Sequence, residues 1–233
     1  MEGILLVDKP VGITSFDVIR RLRRILNIKK MGHAGTLDPL ASGLMIIGVG
    51  SGTKELTALV KLDKEYIAEV LIGQKRSTGD MEGDVIAEKE VEEIFSEKKI
   101  SSTLSTMHGV LNLPVSAYSA IKKDGVPMYK RAREAASRGE VAEGVPERAM
   151  RVDGTELISI TPIVLDGKQF QLCNIRFSVK SGTYIRSLAE ELGSRLNFPA
   201  TLYNLRRTKV GEYDIKDAKT LADLADEFDS KIS

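Results

Sequence analysis

The residues best suited to chemistry in this chain lie in one short stretch. Between Gly32 and Gly43 it reads GHAGTLDPLASG, with His33 close before Asp38. An aspartate directly before a proline is ordinarily a turn former or a helix cap. Here a histidine stands nearby, and the glycines let a ligand approach the backbone closely. The stretch also follows the most basic part of the chain. From Val18 to Leu37 there is no acid, yet Arg20, Arg21, Arg23, Arg24, Lys29 and Lys30 all fall there. A loop carboxylate of this kind can act as a nucleophile or accept a proton.

Net charge is only +1, but its distribution is uneven. Lys122, Lys123, Lys130, Arg131 and Arg133 form a second basic cluster, and Arg206, Arg207 and Lys209 a third. The acids gather between Asp80 and Glu97 and between Glu212 and Asp229. Such segregation predicts a basic face suited to a phosphate backbone; the competing reading is a set of solvated helix faces. Two histidines and one cysteine are too few for an ordinary metal site, so no metal is expected. Cys173 lies in an alternating pattern and reads as core. Gly48, Gly50, Gly52 and Lys54 resemble a nucleotide loop, but Thr53 occupies the position where both phosphate motifs need glycine. The stretch from Asp80 to Asp84 is only loosely like a calcium loop.

The elements that must position these residues follow from periodicity. Gly3 to Asp8 reads as a short strand. Ser15 is the predicted cap of a helix with Phe16, Ile19, Leu22, Arg23 and Leu26 on one face. Residues 30–43 read as loop, the following GLMIIGVG as strand, and Thr53 to Leu62 as a short helix. Lys64 to Gly73 alternates as a strand, and residues 75–84 form a polar loop. Helices are predicted over Glu88 to Lys99, Ser101 to Met107 and Pro127 to Arg138, the last followed by a flexible SRGEVAEGVPE. Strands are predicted over Met150 to Ile160 and Ile163 to Val179, with a hairpin turn at Asp166-Gly167. Tyr184 to Leu196 is an amphipathic helix, Ala200 to Tyr213 a strand, and Lys216 to Phe228 a closing helix. Strands and helices mix without regular βαβ alternation, which predicts an α+β fold rather than a doubly wound one. No apolar run reaches about 18 residues and no signal peptide is evident. With a single cysteine, this suits a cytoplasmic protein.

The string GHAGTLDPLASGLM resembles the catalytic motif of the TruB-type tRNA pseudouridine synthases. The likeness runs from residue 3 to about 211. Gly3 to Ser15 (GILLVDKPVGITS) is similar to the family's opening motif, and Lys64-Glu65-Tyr66 to its tyrosine motif. YSAIK from Tyr118 is similar to its YSAxK element, KSGTYIRSL from Lys180 to its arginine motif, and Leu205-Arg206-Arg207 to its tail motif.

This resemblance implies a pseudouridine synthase fold with a mixed, mostly antiparallel central sheet flanked by helices and loops. It implies isomerisation of uridine to pseudouridine at position 55 in the T loop of tRNA, by base flipping and without a cofactor. Asp38 takes the place of the catalytic aspartate and Arg186 that of its pairing arginine. Tyr66 matches the tyrosine that stacks on the base and removes the C5 proton. His33, Tyr184 and Leu205 match substrate-binding positions; Lys9 is assigned with them and, with Pro10, supports the loop. The expected partner is the tRNA T-arm stem-loop, with no membrane and no obligatory protein partner, the enzyme being a monomer. A single catalytic domain over 1–233 is expected, with a thumb-like insertion near 120–151 and no C-terminal PUA domain. One departure is Asn112-Leu-Pro114-Val115 where the family writes Q-x-P-P. The competing functions are a non-catalytic RNA-binding module, a synthase on another RNA, and a carboxylate glycosidase, which would need a second acid across the bond.

Overall fold

Strand β1 (Gly3–Lys9) pairs antiparallel with β3 (Ser42–Val49) along its whole length, from Gly3 opposite Val49 to Lys9 opposite Gly43. The continuous apolar run of β3 is buried from Gly43 to Val49, as expected for a strand covered on both faces. The computed structural model describes residues 2–119, 121–138 and 144–229. Two compact units make up the chain: Met1–Ile67 with Leu205–Ser233, and Ala68–Asn204.

In the first unit, helix α1 (Ser15–Leu26) is capped by Thr14 rather than Ser15. Thr14 and Asp17 form a reciprocal capping box, worth about 1 kcal/mol at such a position. Ser15 is thereby freed for a tertiary bond. The helix buries Val18, Ile19, Leu22 and Leu26, and Asn27 ends it in the left-handed conformation. Phe16, expected on that face, is 58% exposed. It lies about 100° around the helix from Ser15, outside the buried stripe. Strand β2 (Met31–His33) forms where loop was expected, pairing with β3. A 3₁₀ turn (Gly50–Lys54) and α2 (Leu56–Leu59) replace the longer helix predicted there. Strand β4 (Lys64–Ile72) leads out of this unit.

In the second unit, β5 (Gln74–Arg76) and β6 (Val85–Glu88) form a hairpin around the polar loop. The helix predicted from Glu88 to Lys99 does not form; Glu88 is paired with Gln74 in the hairpin. Residues beyond it bond to another strand: Val91 donates to Gln169, and Phe95 N–H to the Gln171 side chain. Helix α3 (Glu97–Ser105) starts only after the Ser96 cap. Then come β7 (Gly109–Pro114), the short β8 (Lys122–Lys123) and β9 (Val126–Pro127), and α4 (Met128–Ser137). Part of the predicted insertion, residues 120 and 139–143, lies outside the described residues.

Strand β10 (Glu147–Leu165) is one long strand, paired with β7 at its start and with β11 (Lys168–Val179) along most of its length. Pro162 does not break it, because β7 pairs only as far as Val152 and leaves an edge beyond. The turn at Asp166-Gly167 has both residues at positive φ, 50° and 78°, as a two-residue hairpin requires. Cys173 is buried on β11, and burial pushes its thiol up to about 12. Helix α5 (Ile185–Leu196) lies beside α3 and β7.

Strand β12 (Ala200–Val210) returns to the first unit, where Arg206 and Arg207 pair in parallel with Ser42 and Gly43 of β3. After β13 (Tyr213–Asp214), a 3₁₀ turn occupies the first residues of the predicted closing helix. Helix α6 (Leu221–Asp229) begins after Thr220, which forms a reciprocal box with Asp223. Ala34, Leu44, Ile46, Leu59 and Val210 make a core cluster in this unit. No described helix is long and apolar enough to cross a membrane. The architecture is α+β, with mixed, mostly antiparallel strands.

Candidate active site

The segment carrying Asp38 is held in place almost residue by residue. Ser15 Oγ accepts from the Leu37 N–H at 2.8 Å and donates to the Leu37 carbonyl at 3.0 Å. Gly12 N–H donates to the Pro39 carbonyl at 2.8 Å. The buried Lys9 ammonium donates to the carbonyls of Pro10 (2.9 Å), Pro39 (3.4 Å) and Ala41 (2.5 Å). From the other side, Arg207 donates from Nε to the Leu44 carbonyl at 2.8 Å and from Nη2 to the Gly35 carbonyl at 3.2 Å. Bonds thus reach the backbone on both sides of Asp38, which is itself half-buried. Such over-determination is how a loop keeps a side chain in one orientation. Gly43 is part of the same device. It has φ +108°, and a Cβ there would lie 2.3 Å from the Arg207 carbonyl oxygen.

Arg207 is only 1% exposed, so it is no part of a phosphate-gripping surface. The third basic cluster read from sequence is corrected accordingly. Its neighbour Arg206 makes a 2.6 Å ion pair with Asp8, and Lys209 faces Glu65 at 3.8 Å. The buried Arg207 charge also acts on its surroundings. His33, on β2, is held below its ordinary value by burial first and by Arg207 second, against a hydrogen bond to the Gly35 backbone that raises it. Lys64 is pushed down to about 8, by burial and then by Arg207, with Asp63 opposing. Its ammonium donates to the Val60 and Leu62 carbonyls, both at 2.6 Å. Tyr66 is buried on the same face of β4 as Lys64, and Leu205 is buried on the same face of β12 as Arg207.

The other two predicted residues lie in the second unit. Tyr184 sits half-buried at the start of α5, and its N–H meets the Met150 sulfur at 3.5 Å. Arg186, 6% exposed, forms a 3.4 Å ion pair with Asp80, 2% exposed. Its guanidinium also donates to the carbonyls of Thr78 (3.1 Å) and Tyr118 (3.2 Å). Asp80 is fixed in turn by the Thr78 hydroxyl at 2.5 Å and by a bridge to Leu202. Arg76 clasps the same loop through the carbonyls of Met81 and Gly83. Ser116 Oγ adds a bond to the Thr78 carbonyl at 3.2 Å, and Ser187 one to Pro114 at 2.7 Å. A cavity of about 420 Å³ opens alongside, lined by Lys75, Thr78, Ser116, Arg186 and Glu190 among others. Here is a guanidinium fixed by a buried carboxylate and two carbonyls.

Residues 23–185 match the TruB family pseudouridylate synthase N terminal domain, and residues 186–231 the tRNA pseudouridylate synthase B C-terminal domain. The chain belongs to the TruB family. Among its relatives, the tRNA pseudouridine synthase B of Leifsonia xyli subsp. xyli is 40% identical over 227 residues, covering 96% of this chain and 72% of the relative. That of Mycobacterium leprae is 38% identical over 229 residues, covering 96% and 68%. In fold, this TruB-family chain is similar to a protein in the structure of an H/ACA RNP bound to a substrate RNA containing 2'-deoxyuridine. The TM-score is 0.62 with 26% identity, over 96% of this chain and 52% of that one. A second neighbour, in the archaeal box H/ACA sRNP Nop10-Cbf5 complex, gives 0.61 and 26%, over 97% and 54%. The chain therefore spans about half of each of those two proteins. The pseudouridine synthase fold implied by the motifs stands.

Sequence reasoning missed the parts played by Arg207, Ser15 and Asp80 in this TruB-family scaffold. For Arg207 a signal existed: two residues after Leu205 in a strand, it must share the inward face. Thr78-Gly-Asp80 carried the signature of a side-chain-bonded turn, but its ion pair with Arg186 spans 106 positions and leaves no local trace. The loop read as loosely calcium-like uses its first carboxylate on that arginine. Lys9 is a loop-holding residue by its geometry, the second of the two roles read for it.

Proposed function

We propose that this chain isomerises uridine to pseudouridine in the T loop of tRNA, at position 55, as a cytoplasmic monomer without a cofactor. The observation that carries the reading is the loop of Asp38, held by Lys9, Ser15 and Arg207 within a TruB-family chain. The N1–C1′ bond of a flipped uridine breaks, the uracil turns, and a C5–C1′ bond forms; C5 loses its proton and the freed N1 gains one, so the product is an isomer. Asp38 assists as nucleophile at the sugar or as base for a sugar proton. Tyr66 stacks on the uracil and takes the C5 proton late. Arg186 supplies the cation of the reaction centre, and burial of such charges demands compensation. Asp80 positions that arginine. His33, Tyr184 and Leu205 contribute to holding the nucleotide. His33 is proposed to do so as a neutral imidazole, since burial and Arg207 disfavour its charged form. Residues around 120–151 act as the thumb.

The test is mass-spectrometric detection of pseudouridine in an unmodified T-arm stem-loop. Asp38→Asn should abolish product while leaving RNA binding nearly intact. Full activity in that variant would remove Asp38 from the mechanism.

A further inference from the structure

We infer that Phe16 is an RNA-stacking residue, the aromatic end of an arginine ridge on α1 that receives an unstacked base beside the Asp38 loop. The inference deepens the proposed function and rests on it. Phe16 and Val11 are each 58% exposed. Single exposed apolar residues are ordinary on any protein surface. These two stand out by position. Phe16 follows Ser15, whose hydroxyl brackets Leu37, and Val11 precedes Gly12, whose N–H holds Pro39. Consecutive Cα atoms are about 3.8 Å apart, so both side chains spring from backbone adjoining the residues that hold the Asp38 segment.

The charge around Phe16 selects the partner. On a helix, residues four apart are neighbours, so Phe16, Arg20 and Arg24 form one exposed stripe, with Arg21 beside it. Arg20 is ion-paired with Asp17, whereas Arg21 and Arg24 have no acidic partner among the described residues. A protein partner with an acidic apolar patch would also complement such a surface. A single strand with an unstacked base supplies both features together, a flat base face for the ring and successive backbone phosphates for the arginines. Base–aromatic stacking tolerates any base because every base has a π-face. The backbone that carries Phe16 is set before any ligand arrives, since the capping box fixes the first turn of α1.

The chain contains no tryptophan, so Phe16→Trp creates a single tryptophan reporter that can be excited apart from the tyrosines. It is made together with Asp38→Asn to prevent turnover and titrated with an unmodified T-arm stem-loop. The expected result is quenching that saturates with the binding curve. In the otherwise native chain, Phe16→Ala and Phe16→Leu should weaken hairpin binding about tenfold or more, while Phe16→Tyr stays near wild type. Thermal stability should not move, because the ring is exposed. The logarithmic salt dependence of binding should keep its slope in Phe16→Ala, and it should flatten in Arg24→Gln by up to about 0.9 for a duplex phosphate contact. Fluorescence that ignores bound RNA, or Phe16→Ala binding within twofold of wild type, overturns the inference alone if the wild-type chain still makes pseudouridine. A wild-type chain that neither binds nor converts the hairpin overturns the proposed function and this inference together.

Discussion

Arg207→Met removes the buried guanidinium while keeping much of its volume. Two donors are lost, to the Leu44 and Gly35 carbonyls, at 2.8 and 3.2 Å. Hydrogen bonds from a charged donor are worth roughly 1.5–3 kcal/mol each, so the gross loss is about 3–6 kcal/mol. Relief of the desolvated charge subtracts from this, leaving an expected net destabilisation of about 2–4 kcal/mol. That is a large share of a typical domain's total of about 5–15 kcal/mol. Urea unfolding should show a lower midpoint with an unchanged slope. Three further readouts separate this from a generic core defect. Turnover should fall more than RNA affinity, because the bonds that fix the Asp38 loop are made by the enzyme before substrate binds. The His33 titration, followed by NMR, should move up, since Arg207 is its second-largest depressing influence. The Lys64 titration should rise from about 8 for the same reason. A variant that unfolds at the wild-type midpoint with both titrations unmoved would refute the assignment of Arg207 as the loop's buried anchor.

Ser15→Ala takes away both bonds to Leu37 but leaves the Thr14 cap intact. It should lower kcat several-fold at a stability cost of about 1–2 kcal/mol; a thermal melt and initial rates decide it, and unchanged kcat would count against the bracket. Asp80→Asn should reduce activity strongly while RNA affinity changes little, and Asp80→Glu should not rescue it, because the Thr78 hydroxyl fixes the carboxylate position; equal activity in the asparagine variant would show the ion pair to be dispensable. Lys64 has a folded value lowered from 10.5 to about 8. Between those values the unfolded chain binds more protons, so this group makes stability rise with pH across that window. Lys64→Met should remove that rise in urea midpoints measured from pH 7 to 10.5, and a profile parallel to wild type would contradict it.

The fold class, the motif around Asp38 and the positions of most strands were legible because they are written locally. Alternation set β4 and β11, the apolar run set β3, and Asp166-Gly167 set the hairpin turn. Errors came where a local rule met a distant partner. Glu88 to Lys99 carries helix-favouring residues, yet Val91 and Phe95 bond instead to Gln169 and Gln171 some 76 positions away in the latter case. Ser15 looked like a cap because a cap needs only a hydroxyl before an apolar period. The Thr14–Asp17 box took that role and left Ser15 to Leu37.

The sequence by itself therefore determined the family and the fold class, and it located the residues on which the proposed chemistry rests: an aspartate in a family-specific loop, and an arginine and a tyrosine in their own motifs. Tertiary structure alone decided which charges are buried as part of the architecture and which stay at the surface. Arg20 and Arg207 are the same residue type in comparable basic runs, but one is exposed on a helix and the other is buried on β12 beside β3, with backbone carbonyls as its acceptors. A side chain's charge is local information, whereas its dielectric surroundings and hydrogen-bond partners exist only once segments over a hundred residues apart have packed together.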